Sequence, residues 1–238
     1  MNSQMQYLPL APGFFTLLVF LFGVLIVLIQ LRVLRYAYMK LGISSGTAML
    51  LLFGSLVGSY FNIPITLLPG QTVRSGEVID FFGMEYVVPV VAQWPGTMIA
   101  VNVGGAVIPT VMSIYLLARY DLWLRGTVAT ALVALVIHWW ADPVPGVGIA
   151  VPVFAPALVT AVVALVLARE RAAPLAYVAG SLGTLIGADL TNLDRIPGLG
   201  APVASIGGAG TFDGIFLTGI LAVLLASIYP GRSAEPAE

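Results

Sequence analysis

The chain has no cysteine and only one histidine, His138. Without thiols there can be no disulfide framework, thiolate zinc site or cysteine nucleophile. Charge is scarce as well: Asp, Glu, Lys and Arg make up 9% of the residues, where a soluble domain carries roughly 25%. Disorder needs a polar, highly charged composition and is excluded by the same shortage. A net charge of -1 gives no basic footprint for a nucleic-acid partner. Two motifs are also missing. There is no His-Glu-x-x-His string for a zinc protease and no phosphate-binding loop. No cofactor is expected.

What the chain does have is apolar. Hydrophobic residues reach 59% and the mean hydropathy is +1.01. So few charges cannot cover a 25.0 kDa globule without leaving large apolar patches exposed. The expectation is an all-α integral membrane protein whose main partner is the lipid bilayer. A bilayer core of ~30 Å needs about 20 mostly apolar residues per helix. Seven such spans are read at 13–35, 46–62, 96–118, 126–141, 148–168, 173–192 and 205–228, in one polytopic domain over 1–238. Residues 231–238 form a polar, frayed cytoplasmic tail. The first span is too long for a signal-peptide core and reads as a retained helix.

Lysine and arginine set the orientation, because cytoplasmic loops hold their excess. Arg32, Arg35, Lys40, Arg119, Arg125, Arg169, Arg171 and Arg232 fall on one side of that topology, and Arg74 and Arg195 on the other. The expected N-terminus is outside, and the expected location is the cytoplasmic (inner) membrane. In the outer loop 63–95, Asn62–Leu68 and Glu85–Ala92 flank Pro69-Gly70, a pattern that predicts a small β-hairpin. The two halves also echo each other. Gly54-Ser55-Leu56 matches Gly180-Ser181-Leu182, and Gly104-Gly105-Ala106 matches Gly207-Gly208-Ala209, which sets Thr110 opposite Asp213. A parallel three-plus-one-plus-three repeat gives this pattern, and so does close helix packing through small residues.

An ionisable group inside a span is a functional-site hypothesis by default. Asp189 lies near the outer end of span six, Asp213 lies within span seven, and Asp142 ends span four, four residues after His138. Asn102 and Asn192 add amides at similar depth. On helical geometry Asp189 is about 6 Å inside and Asp213 about 12 Å. If Gly207, Gly208 and Gly210 make an irregular lead-in over 205–210, Asp213 rises towards Asp189. The two carboxylates would then share one proton, one activating water as base while the other protonates a substrate carbonyl.

Gly210-Thr211-Phe212-Asp213 with Gly214-Ile215-Phe216-Leu217 resembles the second-aspartate motif of the GxGD intramembrane aspartyl proteases, the presenilin and signal-peptide-peptidase group. The resemblance implies that Asp189 is the first catalytic aspartate, Asp213 the second, and Gly210 the motif's first glycine. It covers about 30 residues, with departures. Phe212 replaces the second glycine, Ala188 stands where a tyrosine precedes the first aspartate, and Pro156-Ala157-Leu158 comes before both aspartates, not after. Over most of its length the chain resembles a prokaryotic integral membrane family catalogued as a domain of unknown function (1614), through Gly187–Leu190 and Gly207–Leu217. That likeness implies no established activity.

Simpler roles stand beside these. Asp189 can cap or solvate a helix end, and Asp213 can accept hydrogen bonds from Asn102 to hold the bundle together. His138 and Asp142 at i, i+4 permit metal coordination on one helix face. Equally, Trp139 and Trp140 mark an aromatic belt there, and Asp142 before Pro143 reads as a cap. Proline and glycine in Pro143–Gly148 and Pro152–Pro156 predict a bent or broken span five. The leading expectation is an aspartyl hydrolase acting on a membrane peptide or small-molecule substrate, with Asp189 and Asp213 catalytic. Asn102, Asn192, Gly207, Gly208, Gly210 and Gly214 would support them. A small transporter coupling a proton or cation through the same aspartates is the alternative, and a non-catalytic scaffold the third.

Overall fold

A computed structural model describes residues 20–24, 41–69, 78–81, 84–87, 96–144, 148–152, 154–198, 201–208 and 214–228. The chain is mostly helical, with small sheets. The described order is helix α1 (Ser45–Gly58), strands β1 (Asn62–Pro69), β2 (Val78–Phe81), β3 (Met84–Val87) and β4 (Gly96–Asn102), then a π-helical turn, π1 (Val103–Val107). Helices α2 (Ile108–Arg119) and α3 (Trp123–Trp140) follow, then β5 (Asp142–Val144), β6 (Gly148–Ala150), α4 (Ala155–Leu167) and α5 (Ala172–Thr184). A second π turn, π2 (Leu185–Asp189), runs into a 3₁₀ helix (Leu190–Gly198), and β7 (Val203–Ile206) and α6 (Gly214–Ile228) complete the set.

Local chemistry explains the helix starts. The Ser44 hydroxyl accepts from the Thr47 N–H at 3.2 Å and caps α1. Pro109 and Pro156 sit in the first turns of α2 and α4, where no intrahelical N–H is lost. Glycine and alanine decide where helices meet. Helix α5 packs against α2, α3, α4 and α6, and every residue from Ala172 to Ser181 is buried. Its Gly180 lies so close to Gly219 of α6 that a Cβ would stand 3.3 Å from the Gly219 Cα. Gly183 and Gly187 admit Val133 and Ala134 of α3 in the same way.

Among the described residues, two helices are long and apolar enough to cross a membrane, Trp123–Trp140 and the continuous Arg169–Pro197 segment. The first carries an outward stripe of Leu124, Val128, Leu132, Leu135 and Trp139, 42–81% exposed. A soluble helix turns such a stripe inward.

The structure corrects several expectations. The fold is not all-α: strands open the spans expected at 96–118, 148–168 and 205–228, where β4, β6 and β7 precede their helices. Span 46–62 ends at Gly58, and its last residue opens β1. Of span 13–35, only 20–24 is described, and it is helical. The outer loop holds a hairpin, but between β2 and β3, with Asp80 opposite Glu85. Strand β1 pairs instead with β4, antiparallel, from Asn62 opposite Asn102 to Pro69 opposite Gly96. Strand β7 joins the other edge of β4 in parallel, Met98 opposite Val203 and Val101 opposite Ile206, so the sheet runs β1-β4-β7.

Candidate functional site

The site is built where β4 and β7 each run into a glycine pair. At the end of β4, Asn102 is 2% exposed and has all its polar atoms engaged. Its Oδ1 accepts from the Gly105 N–H at 2.9 Å, capping π1. Its Nδ2 donates to the Ser59 carbonyl at 2.7 Å and to Asn62 Oδ1 at 3.1 Å. The Ser205 hydroxyl donates to the same Asn62 oxygen at 2.5 Å, so β1, β4 and β7 each contribute one polar side chain to this corner of the sheet. Behind it, the Ser55 hydroxyl donates to the Gly104 carbonyl at 3.1 Å, and α1 meets π1 backbone to backbone at Gly58 and Gly104.

At the end of β7, Gly207 adopts φ +79°, a conformation that L side chains rarely adopt. A Cβ there would stand 2.6 Å from Ala106 of π1. Its N–H donates to Asp189 Oδ2, on π2, at 2.6 Å. Gly207 thus lies on one π turn and binds the other. Gly208 packs beside it, where a Cβ would be 3.0 Å from the Asn102 side chain. Beneath them Ala106, Leu185 and Ile215 form a small buried cluster that ties π1, π2 and the start of α6 together, with Val101 and Ile206 against it.

Asn102, Asp189, Gly207 and Gly208 therefore meet in one cluster. Asn192 does not join it. Its Nδ2 donates to the Gly187 and Ala188 carbonyls at 3.0 and 2.9 Å, closing the end of π2, and its Oδ1 is buried with no hydrogen-bond partner among the described residues. Gly210 and Asp213 lie outside the described residues, and Gly214 is the first residue of α6. Ser205 and Ile206 are strand, so the helical depth of about 12 Å does not apply to Asp213. Both amide hydrogens of Asn102 are given to Ser59 and Asn62.

His138 and Asp142 do not share a helix face. Helix α3 ends at Trp140, Ala141 is extended, and the exposed Asp142 begins β5, neither a cap nor an i+4 neighbour. His138 belongs to a different arrangement. The Thr191 hydroxyl donates to the Gly187 carbonyl at 2.8 Å and lies 2.8 Å from His138 Nδ1. No group of three or more His, Cys, Asp or Glu side chains able to hold a metal occurs among the described residues.

Sequence reasoning passed over Asn62, Ser205, Thr191, Ser55 and Ser59. The available signal was a polar residue next to a glycine pair or at the end of an apolar run, which is weak by itself. Two π turns at such a junction are themselves informative, since π turns concentrate at functional positions. No curated protein and no solved structure matches the chain. A family described as protein of unknown function (DUF1614) matches residues 56–225, a stretch holding the whole of this cluster, and the chain belongs to that family.

Proposed function

We propose that the chain is a seven-span protein of the cytoplasmic membrane, N-terminus outside, and that it hydrolyses a membrane peptide with Asp189 and Asp213 as a proton-sharing pair. One observation carries this reading. Described residues on either side of Asp213 meet the π turn that carries Asp189: the Gly207 N–H donates to the Asp189 carboxylate, and Ile215 shares a buried cluster with Leu185. In the reaction one carboxylate takes a proton from water, and the hydroxide adds to the peptide carbonyl carbon. The protonated partner gives its proton to the carbonyl oxygen. Collapse of the gem-diol then breaks the C–N bond as the amine nitrogen takes the proton held by the first carboxylate and one gem-diol hydroxyl returns its proton to the second. No metal or histidine takes part.

The test is a photoreactive statine-type peptide, whose secondary hydroxyl imitates the gem-diol, added to purified protein in lipid nanodiscs. Wild type is labelled, and Asp189→Asn and Asp213→Asn each lose the label while unfolding at the wild-type temperature. Equal labelling of all three proteins sinks the hydrolase.

A second reading, a small transporter using the same aspartates for a proton or cation, is favoured by the parallel pairing of β4 with β7. Each strand runs through a glycine pair into a helix, and parallel internal repeats of this kind occur in transporters. Each Gly-Ser-Leu helix also packs near the glycine-led helix of its own half, Ser55 on Gly104 and Ser181 against Gly219. The β4–β7 ladder, however, sets Gly207 beyond the rung of Val101 and Ile206, in line with Asn102 and not Gly104. The echo in sequence is thus slipped by two residues in space. Proton flux into proteoliposomes that persists without any peptide cleavage would favour the transporter.

A further inference from the structure

The end of α3 away from His138 carries a different kind of site. Helix α3 is 18 residues long, so Trp123 and Trp140 are separated by about the thickness of a bilayer core. Next to Trp123, α2 ends in Arg119. Its Nη1 donates to the Tyr115 hydroxyl at 2.6 Å, and the guanidinium lies 5.7 and 5.9 Å from the ring centres of Tyr115 and Tyr120. Two aromatic side chains, not a carboxylate, hold this cation among the described residues. Arg171 docks alongside by donating to the Tyr120 carbonyl, and Arg125 follows two residues after Trp123.

Three features make this a receptor for an anion. The Tyr115 hydroxyl accepts from Arg119, so its own hydrogen remains to be donated. The guanidinium keeps further N–H groups in a planar fork suited to phosphate oxygens. Tyr115 and Trp123 are 44% and 50% exposed, leaving the approach open. A fourth feature selects the anion's carrier. Val111, Tyr115 and Arg119 follow one another at i, i+4 and i+8 on one face of α2, and Val111 and Ile114 are 62% and 50% exposed. An apolar track thus leads away from the cation along the helix.

We propose that Arg119, Tyr115 and Trp123 bind the headgroup phosphate of an anionic phospholipid of the cytoplasmic leaflet, with an acyl chain lying along Val111 and Ile114. The proposal shares the bilayer with the hydrolase reading but does not depend on it. The phosphodiester accepts from the Arg119 fork and the Tyr115 hydroxyl, Trp123 sits at headgroup level, and the Arg119 charge favours a headgroup of net negative charge.

Native mass spectrometry of the full chain, released from micelles holding equal amounts of phosphatidylglycerol and phosphatidylcholine, tests it. Wild type retains phosphatidylglycerol in preference; Arg119→Gln lowers that preference ~fivefold or more, and Arg125→Gln leaves it near wild type. Tyr115→Phe, which removes only a surface hydroxyl, lowers it measurably and keeps the test alive if Arg119→Gln is poorly produced. A preference unchanged in Arg119→Gln or in Tyr115→Phe overturns the site. Equal loss in Arg125→Gln overturns it in favour of diffuse charge. Displacement of the lipid by soluble glycerol phosphate at comparable concentration shows a phosphate-ester site and overturns the lipid assignment.

Discussion

At the end of β4 the sheet closes on Asn102, whose amide makes three hydrogen bonds to neutral groups. At the end of β7, one strand away, the closing bond runs from the Gly207 N–H to a carboxylate. Both junctions bring a strand through a glycine pair beside a π turn. The first spends all its polar capacity on holding three strands and α1 together. The second places one ionisable oxygen pair on the same framework, with a single backbone donor to Asp189 Oδ2. An amide that is fully used can only support. A carboxylate with one donor keeps lone pairs for a proton or a substrate. The cluster thus divides into a rigid half and a half with acceptor capacity to spare.

The largest effect expected is in the rigid half. A side chain on Gly104 would collide with the Ser55 carbonyl and the Ser59 N–H of α1, both backbone atoms that cannot rotate away. Gly104→Val should lose more than ~3 kcal/mol and yield little folded protein. Gly46→Ala, with no atom nearer than 4.0 Å to its added Cβ, should unfold at or above the wild-type temperature. Similar melting of both variants in nanodiscs would remove the close contact from the account.

Next comes Asn102→Leu, which strips partners from Ser59, Asn62 and Gly105 and should cost about 3 kcal/mol. Set against it, Asp189→Asn keeps an oxygen for Gly207 and should change stability by under about 1 kcal/mol. Reversible unfolding of the two variants measures the difference directly. Equal costs would abolish the division between halves. Gly207→Ala belongs between them, at about 2 kcal/mol, because the alanine must hold φ +79° against Ala106. A small effect is expected at the rim, where Thr191→Val breaks the His138–Thr191–Gly187 chain for about 1 kcal/mol. A shift in His138 ring chemical shifts should accompany it.

The helices were legible where long apolar runs are punctuated by charge. Helix α3 follows Arg119, carries Arg125 in its first turn and ends before Asp142, and the long helix ending in the π2 and 3₁₀ turns follows Arg169–Arg171 and carries Arg195 in its last turn. The sheet was not legible, for a physical reason. Strand β4 is Gly-Thr-Met-Ile-Ala-Val-Asn and is covered on both faces, so it lacks the alternation of a half-exposed strand. A short apolar run of that kind looks the same whether it becomes strand or helix. The Pro69-Gly70 turn signal pointed to a local partner for β1, but β4 offered a longer apolar ladder. His138 and Asp142 were misjudged because the helix boundary falls between them. Asp189, Gly207 and Gly208 were legible, since an acid in an apolar run and paired glycines stand out without any alignment.

The parallel β4–β7 ladder also dictates an order of events during synthesis. Strands β1 and β4 are near neighbours in the chain and can pair early, whereas Met98 must wait for Val203, with α2, α3, α4 and α5 made in between. Closing so distant a contact is entropically slow. Until it closes, the second edge of β4 presents unpaired N–H and C=O groups and Asp189 lacks the Gly207 donor. The carboxylate therefore acquires its backbone partner in the same late step that seals the sheet, and a nascent chain halted before residue 203 carries the acid without its setting.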